Sequence, residues 1–192
     1  MSLDLSLLSD EMERALEAAR ALAERRKQSL IQPEHLLYTL LDRESSLFAQ
    51  LERNGIGCDA LLDAMAMKVN AGDSGVLEPG RRPVASQALR KLLEKSLARV
   101  RPTGAVHQGE RESVHVEPID VLLAAVDLGE AALKADLREA GITKESVEKI
   151  DGAQQTLKDA YDSDKAARSN GTNLPGRVLE RFGRDQIGRA HV

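Results

Sequence analysis

The chain has 192 residues, 42% hydrophobic and 30% charged, enough for a globular protein of one or two domains with a sizeable core. Its 27 Lys and Arg against 31 Asp and Glu leave a net charge of -4, and its aromatic content of 2% is confined to Tyr38, Phe48, Tyr161 and Phe182. That balance disfavours binding to nucleic acid or an anionic membrane through bulk charge, and it removes the stacking platforms that single-strand binders use.

The chain opens Met1-Ser-Leu-Asp-Leu-Ser-Leu-Leu-Ser9, with Asp4 and no basic segment ahead of an apolar one. No apolar run anywhere approaches the ~18 to 20 residues of a membrane span, so the expectation is a cytoplasmic protein with no export signal or anchor. From Ser9 to Lys27, apolar residues fall at Met12, Ala15, Leu16, Ala19, Leu22 and Ala23, the spacing of one face of an amphipathic helix. Ser9 is placed to cap it. Asp10, Glu11 and Glu13 in its first turns and Arg25, Arg26 and Lys27 in its last complement the helix dipole. Pro33 predicts the start of a second, short helix through Leu41. Ser45 and Ser46 predict the start of a third, stopped at Asn54-Gly55, and Asp59 the cap of a fourth through Val69. Cys58, just before it, is the only cysteine. It excludes an intrachain disulfide, a Cys-rich zinc site or a redox pair, and reads as a small buried hydrophobe.

Residues 71–84 include Gly72, Gly75, Pro79, Gly80 and Pro83 and read as a linker without periodicity. The pattern then restarts. Ser86 leads Leu89, Leu93 and Leu97 as Ser9 leads Met12, Leu16 and Ala19, and Val116-Glu-Pro118 precedes an apolar helix as Ile31-Gln-Pro33 does. Leu51-Glu-Arg-Asn-Gly-Ile56 returns as Leu137-Arg-Glu-Ala-Gly-Ile142. The chain is a tandem duplication, with repeat one at 9–70 and repeat two at 85–150. Pro102 to Ser113, extra residues in the second copy, read as an exposed loop, and 151–186 as a flexible linker.

With these features in register, the chain resembles the Clp N-terminal repeat domain that precedes the AAA+ modules of ring-forming unfoldases. Its marks are Pro33-Glu-His-Leu-Leu37, the Gly55-Ile56 and Gly141-Ile142 turns, and the two four-helix copies. Leu179-Glu-Arg-Phe-Gly-Arg-Asp185 is similar to the segment before the first ATPase module, most like the disaggregase and protease-linked branches. No G-x-x-x-x-G-K-[ST] phosphate loop is present in the sequence. Ile187-Gly-Arg-Ala-His-Val192 departs from the family and is encodable as ATC GGA AGA GCA CAC GTC, the bases of a common sequencing adapter; residues 187–192 are read as non-native.

The resemblance implies an all-α fold of two tandem four-helix repeats with pseudo-two-fold symmetry. It also implies a module that binds unfolded or aggregated polypeptides and adaptor proteins, within a homohexamer built by the ATPase modules. Catalysis, cofactor and metal are not expected of this piece. The implied groove lies near the repeat junction, with Ser9, Glu34, Leu93, Ile119 and Asp120 as candidates. Ile119 stands where the family commonly has Glu, so the paired-acid site by which some relatives read phosphorylated arginine is lost, and a shift toward hydrophobic peptides is expected. Leu93 reads equally well as plain core. His35, His107, His115 and His191 lack ligand spacing, and His35 reads as a cap or packing residue of the second helix. The alternative from another class is a free-standing repeat adaptor or structural protein.

Overall fold

The spacing of small and apolar residues in Asp10–Arg25 drives the first helix, α1, which buries Met12, Ala15, Ala19, Leu22 and Ala23 on one face. Ser9 caps it, its Oγ accepting from the Met12 amide at 3.3 Å. In the computed structural model, residues 5–71, 75–100, 115–153 and 156 are described. The order continues with β1 (Leu30–Ile31), α2 (Pro33–Leu40), α3 (Ser46–Arg53), α4 (Asp59–Ala71), β2 (Val84–Ala85), α5 (Gln87–Val100), α6 (Pro118–Leu128) and α7 (Ala131–Glu139). A further helix, α8, covers 144–153. The fold is all-α apart from the two short strands, and it has the two four-helix repeats expected of the sequence. The expected 102–113 loop, all of the 151–186 linker beyond 153 except residue 156, and the 187–192 tail lie outside the described residues.

Backbone pairing makes the pseudo-two-fold relation concrete. The residues before α2 pair with those before α5, Leu30 with Val84 and Ile31 with Ala85, in a parallel strand pair. The residues before α1 pair with those before α6 in the same sense, through the parallel bridge of Leu8 with Val116. The Ser86 amide donates to the Ile31 carbonyl at 3.0 Å, and the Ser9 amide to the Val116 carbonyl at 3.1 Å. Ser86 caps its helix as Ser9 does, accepting from the Leu89 amide at 3.1 Å. Each repeat therefore tethers the other's helix starts.

The third-to-fourth helix turns match as well. Gly55 and Gly141 take φ of +76 and +77, a left-handed conformation that a Cβ disfavours. The next amides reach back, Ile56 to the Leu51 carbonyl at 3.0 Å and Ile142 to the Leu137 carbonyl at 2.8 Å. Both isoleucines are then buried in the core.

Two features differ from the sequence reading. The 71–84 stretch was expected to be a plain linker, yet its described part is laced to the α1–α2 connection: Ser29 donates to the Gly75 carbonyl at 3.1 Å and Leu77 to the Lys27 carbonyl at 2.8 Å. Periodicity carries no signal for such pairing, because the backbone atoms that make it are common to every residue. Asp59 was expected to cap α4; it lies inside the helix, and its Oδ1 accepts from Arg43 Nη2 at 2.7 Å.

The repeats share one aliphatic core, including Met12, Leu36 and Met65 from the first and Leu89, Leu122 and Leu123 from the second. Each such side chain contributes about 1.5–3 kcal/mol of burial, so neither repeat's apolar face is satisfied alone. Across the junction Lys68 of α4 pairs with Asp136 of α7. Among the described residues, no helix is long and apolar enough to cross a membrane.

Candidate functional site

A cleft of about 850 Å³ opens where the repeats meet. The start of α2, the end of α4, the start of α5 and the α6–α7 turn border it. Its floor is formed by the edges of the buried Val69, Leu92 and Leu133, its exposed apolar side chain is Leu128, and its charged border comes from Glu34, Lys68, Lys91 and Glu130. Leu128, at the end of α6, is 51% exposed.

Why the cleft lies here follows from comparing the two copies. In repeat one, Glu11 of α1 ties α1 to the start of α3, its Oε1 accepting from the Ser46 amide at 3.0 Å and its Oε2 from the Ser46 hydroxyl at 2.6 Å. That corner is a smaller recess of about 490 Å³ with Glu11, Arg14, Asp42 and Glu44 on its walls. In repeat two, Ala88 stands two residues after capping Ser86, as Glu11 stands two after Ser9. Ala132, nine residues before Gly141, stands where Ser46 does before Gly55. With both bonding partners reduced to methyl groups, α5 and the start of α7 are not tied in this way, and the gap between them joins the cleft.

The structure divides the five expected groove residues. Glu34 lines the cleft. Ser9 belongs to the other junction, beside Val116 and the start of α6. Ile119 follows Pro118 at the start of α6 as Glu34 follows Pro33 at the start of α2, so the two occupy matched positions on opposite junctions. Ile119 and Leu93, each 4% exposed, are core residues rather than rim. Asp120 is half-buried and turned to its own helix end, its Oδ2 accepting from the Glu117 amide at 3.0 Å. Lys91, Leu92, Leu128, Ala132 and Leu133, which do line the cleft, were not singled out from the sequence. The signal available was the loss of Glu11 and Ser46 in the second copy.

His35 holds the cleft's edge. Its Nδ1 accepts from the Gln32 amide at 3.1 Å, closing the first turn of α2 as Asp120 closes α6. Its Nε2 lies 2.7 Å from Gln28 Oε1, and Gln28 Nε2 donates to the Val69 carbonyl at 2.8 Å, so the ring carries its proton on Nε2. Burial lowers its pKa from 6.5. The unfolded chain therefore binds the proton more readily than the folded one, and stability falls as pH drops below about 6.5. Comparing melting temperatures from pH 7.5 to 5 for the wild type and His35→Gln, which cannot titrate, is expected to show a steeper acid loss in the wild type.

Cys58 is buried, and burial first, then the charges of Glu52 and Asp59, push its thiol up to about 11. It stays a thiol at neutral pH. Among the described residues, no three His, Cys, Asp or Glu side chains converge as a metal site would require.

Together, the duplicated four-helix units, their exchanged strand pairing and the junction cleft define a two-repeat, all-helical domain. The sequence model of the Clp repeat (R) N-terminal domain matches residues 7–140, and the chain belongs to that family. No curated protein matches the sequence. Among solved structures, the fold is similar to the N-terminal domain of the ClpV1 ATPase from E. coli EAEC Sci1 T6SS, at 24% identity and a TM-score of 0.58 over 76% of this chain and 84% of that one. It is also similar to the Hsp104 N-terminal domain from Candida albicans, at 16% identity and 0.56 over 74% and 87%. A third similar structure, at 25% identity and 0.58 over 79% and 92%, is described as a peptide from the EAEC T6SS Sci1 SciI protein.

Proposed function

We propose that this chain is the substrate- and adaptor-receiving domain of a cytoplasmic Clp-family unfoldase, performing no chemistry itself and passing bound polypeptide to ATPase modules of the parent ring. The cleft is the observation that carries this reading. It is concave, largely aliphatic within and charged at its border, the surface a short extended or helical segment needs. Its small size gives weak affinity per domain, which several copies around a ring would raise through effective concentration. The family membership and the similar structure described by a SciI peptide support the same reading.

Leu128 supplies the test, because half of it is exposed and its removal leaves the core intact. With apolar-rich decapeptides titrated into the labelled chain, NMR shifts are expected to gather on the starts of α2, α5 and α7. Leu128→Ser is expected to weaken binding about fivefold to tenfold at unchanged melting temperature, the loss of one partly buried side chain. Shifts confined to other faces would refute the assignment.

A further inference from the structure

We propose that His35 is a positioning residue that makes the cleft proton-sensitive: peptide is held while the ring is neutral and released when Nδ1 takes up a proton. This rests on the peptide-receiving reading above. One wall of the cleft is the first turn of α2, with Gln32, Pro33, Glu34 and His35 in succession on its lining, and the end of α4 contributes Lys68 and Val69 beside it. His35 joins these parts. It is 1% exposed, and its two ring nitrogens have partners on different segments.

The far end of this chain of bonds fixes the role of each atom. The Val69 carbonyl can only accept, so Gln28 Nε2 donates to it at 2.8 Å, and Gln28 Oε1, turned to the ring at 2.7 Å, accepts from His35 Nε2. Nδ1 is left as the acceptor for the Gln32 amide at 3.1 Å. A proton added at Nδ1 opposes that amide, donor against donor, and places a positive charge where water does not reach. The first turn of α2 then loses the bond that closes it. Gln32 and Glu34 lose their fixed place against the end of α4, and the cleft loses the wall.

The charged groups around the ring do not hold such a proton in place. Glu34 on α2 itself, Lys68 at the end of α4, Lys91 on α5 and Glu130 before α7 form the cleft border, two acidic and two basic, and Lys68 is paired with Asp136. α1, packed along α2, turns Ala19, Leu22 and Ala23 inward, and its terminal Arg25, Arg26 and Lys27 are exposed. Burial is what lowers the ring's pKa from 6.5. A peptide packed against the wall favours the neutral ring and so lowers that pKa further. By the same linkage, affinity falls as pH drops through it.

The test uses the full chain and a blocked decapeptide of apolar and hydroxyl residues, which does not itself titrate. NMR follows the His35 ring from pH 7.5 to 5 with and without saturating peptide, and calorimetry follows affinity over the same range. Peptide is expected to lower the ring's pKa by about one unit, and affinity to fall about tenfold as the free ring becomes charged. His35→Gln, whose amide oxygen can still accept from the Gln32 amide, is expected to hold its own affinity within about twofold across the range. Asp120→Asn, which removes the carboxyl pushed up to about 6 at the opposite junction, is expected to keep the wild-type fall. A ring pKa unmoved by peptide, a ring still neutral at pH 5 or charged only as the chain unfolds, or a fall that persists in His35→Gln overturns the proposal and leaves the peptide-receiving reading intact. No binding at pH 7.5 overturns both. If His35→Gln misfolds, the shift of the wild-type ring decides.

Discussion

Leu93→Asp is expected to abolish cooperative folding at neutral pH rather than to weaken ligand binding selectively. Leu93 is 4% exposed and packs in the shared core, so aspartate there places an unpaired carboxylate among aliphatic side chains. Burying an unpaired ionised group costs at least several kcal/mol, to which the lost leucine burial adds about 2–3 kcal/mol. That is comparable to the whole stability of a domain this size, about 5–15 kcal/mol. Circular dichroism on heating should show no cooperative transition, or one displaced by more than 15 °C. A variant that melts like the wild type would mean that Leu93 faces solvent. Leu93→Ala, expected to cost about 2–4 kcal/mol, gives a folded comparison from the same position.

Asp120→Asn is expected to stabilise the chain at pH 7 and to lose that advantage in acid. Burial pushes the Asp120 carboxyl from 3.8 up to about 6, with Asp151 and Glu117 adding repulsion, against the opposing pull of the Glu117 amide hydrogen bond and Arg99. Between pH 3.8 and about 6 the folded chain therefore holds more protons than the unfolded one. The ionised carboxylate thus weighs against folding fully above pH 6, and that penalty is relieved as pH falls through the window. An asparagine oxygen can still accept from the Glu117 amide and carries no charge. The expected gain is about 1–3 kcal/mol at pH 7, shrinking to near zero at pH 4, read by denaturant melts at both values. A gain equal at both pH values would show that ionisation is not its cause.

His35 and Asp120 thus perform the same backbone task at matched helix starts with opposite electrostatic character. His35 weakens the fold below about pH 6.5, and Asp120 favours it as pH falls below about 6. Duplication preserved the geometry of the reach-back hydrogen bond while letting its chemistry diverge. The same divergence, acting on Glu11 and Ser46, separates the polar recess of repeat one from the cleft of repeat two.

The sequence by itself determined the elements and the duplication. Helix periodicity around Met12 and Leu89, the prolines at 33 and 118, and the glycines at 55 and 141 are local signals, because each acts through its own backbone or its own helix face. The family resemblance was legible for the same reason, since those signals recur in register. The tertiary structure alone decided which residues share a surface. Ser9 and Glu34 look equivalent as helix-start residues, yet the exchanged strand pairing puts them on opposite junctions. Leu93 and Ile119 looked like groove residues, and the common core took them inward. No periodicity records that choice. A helix pattern tells which face is apolar, while a cleft is the space left between helices from both repeats, and that space depends on contacts such as Glu11 with Ser46, 35 residues apart in the chain.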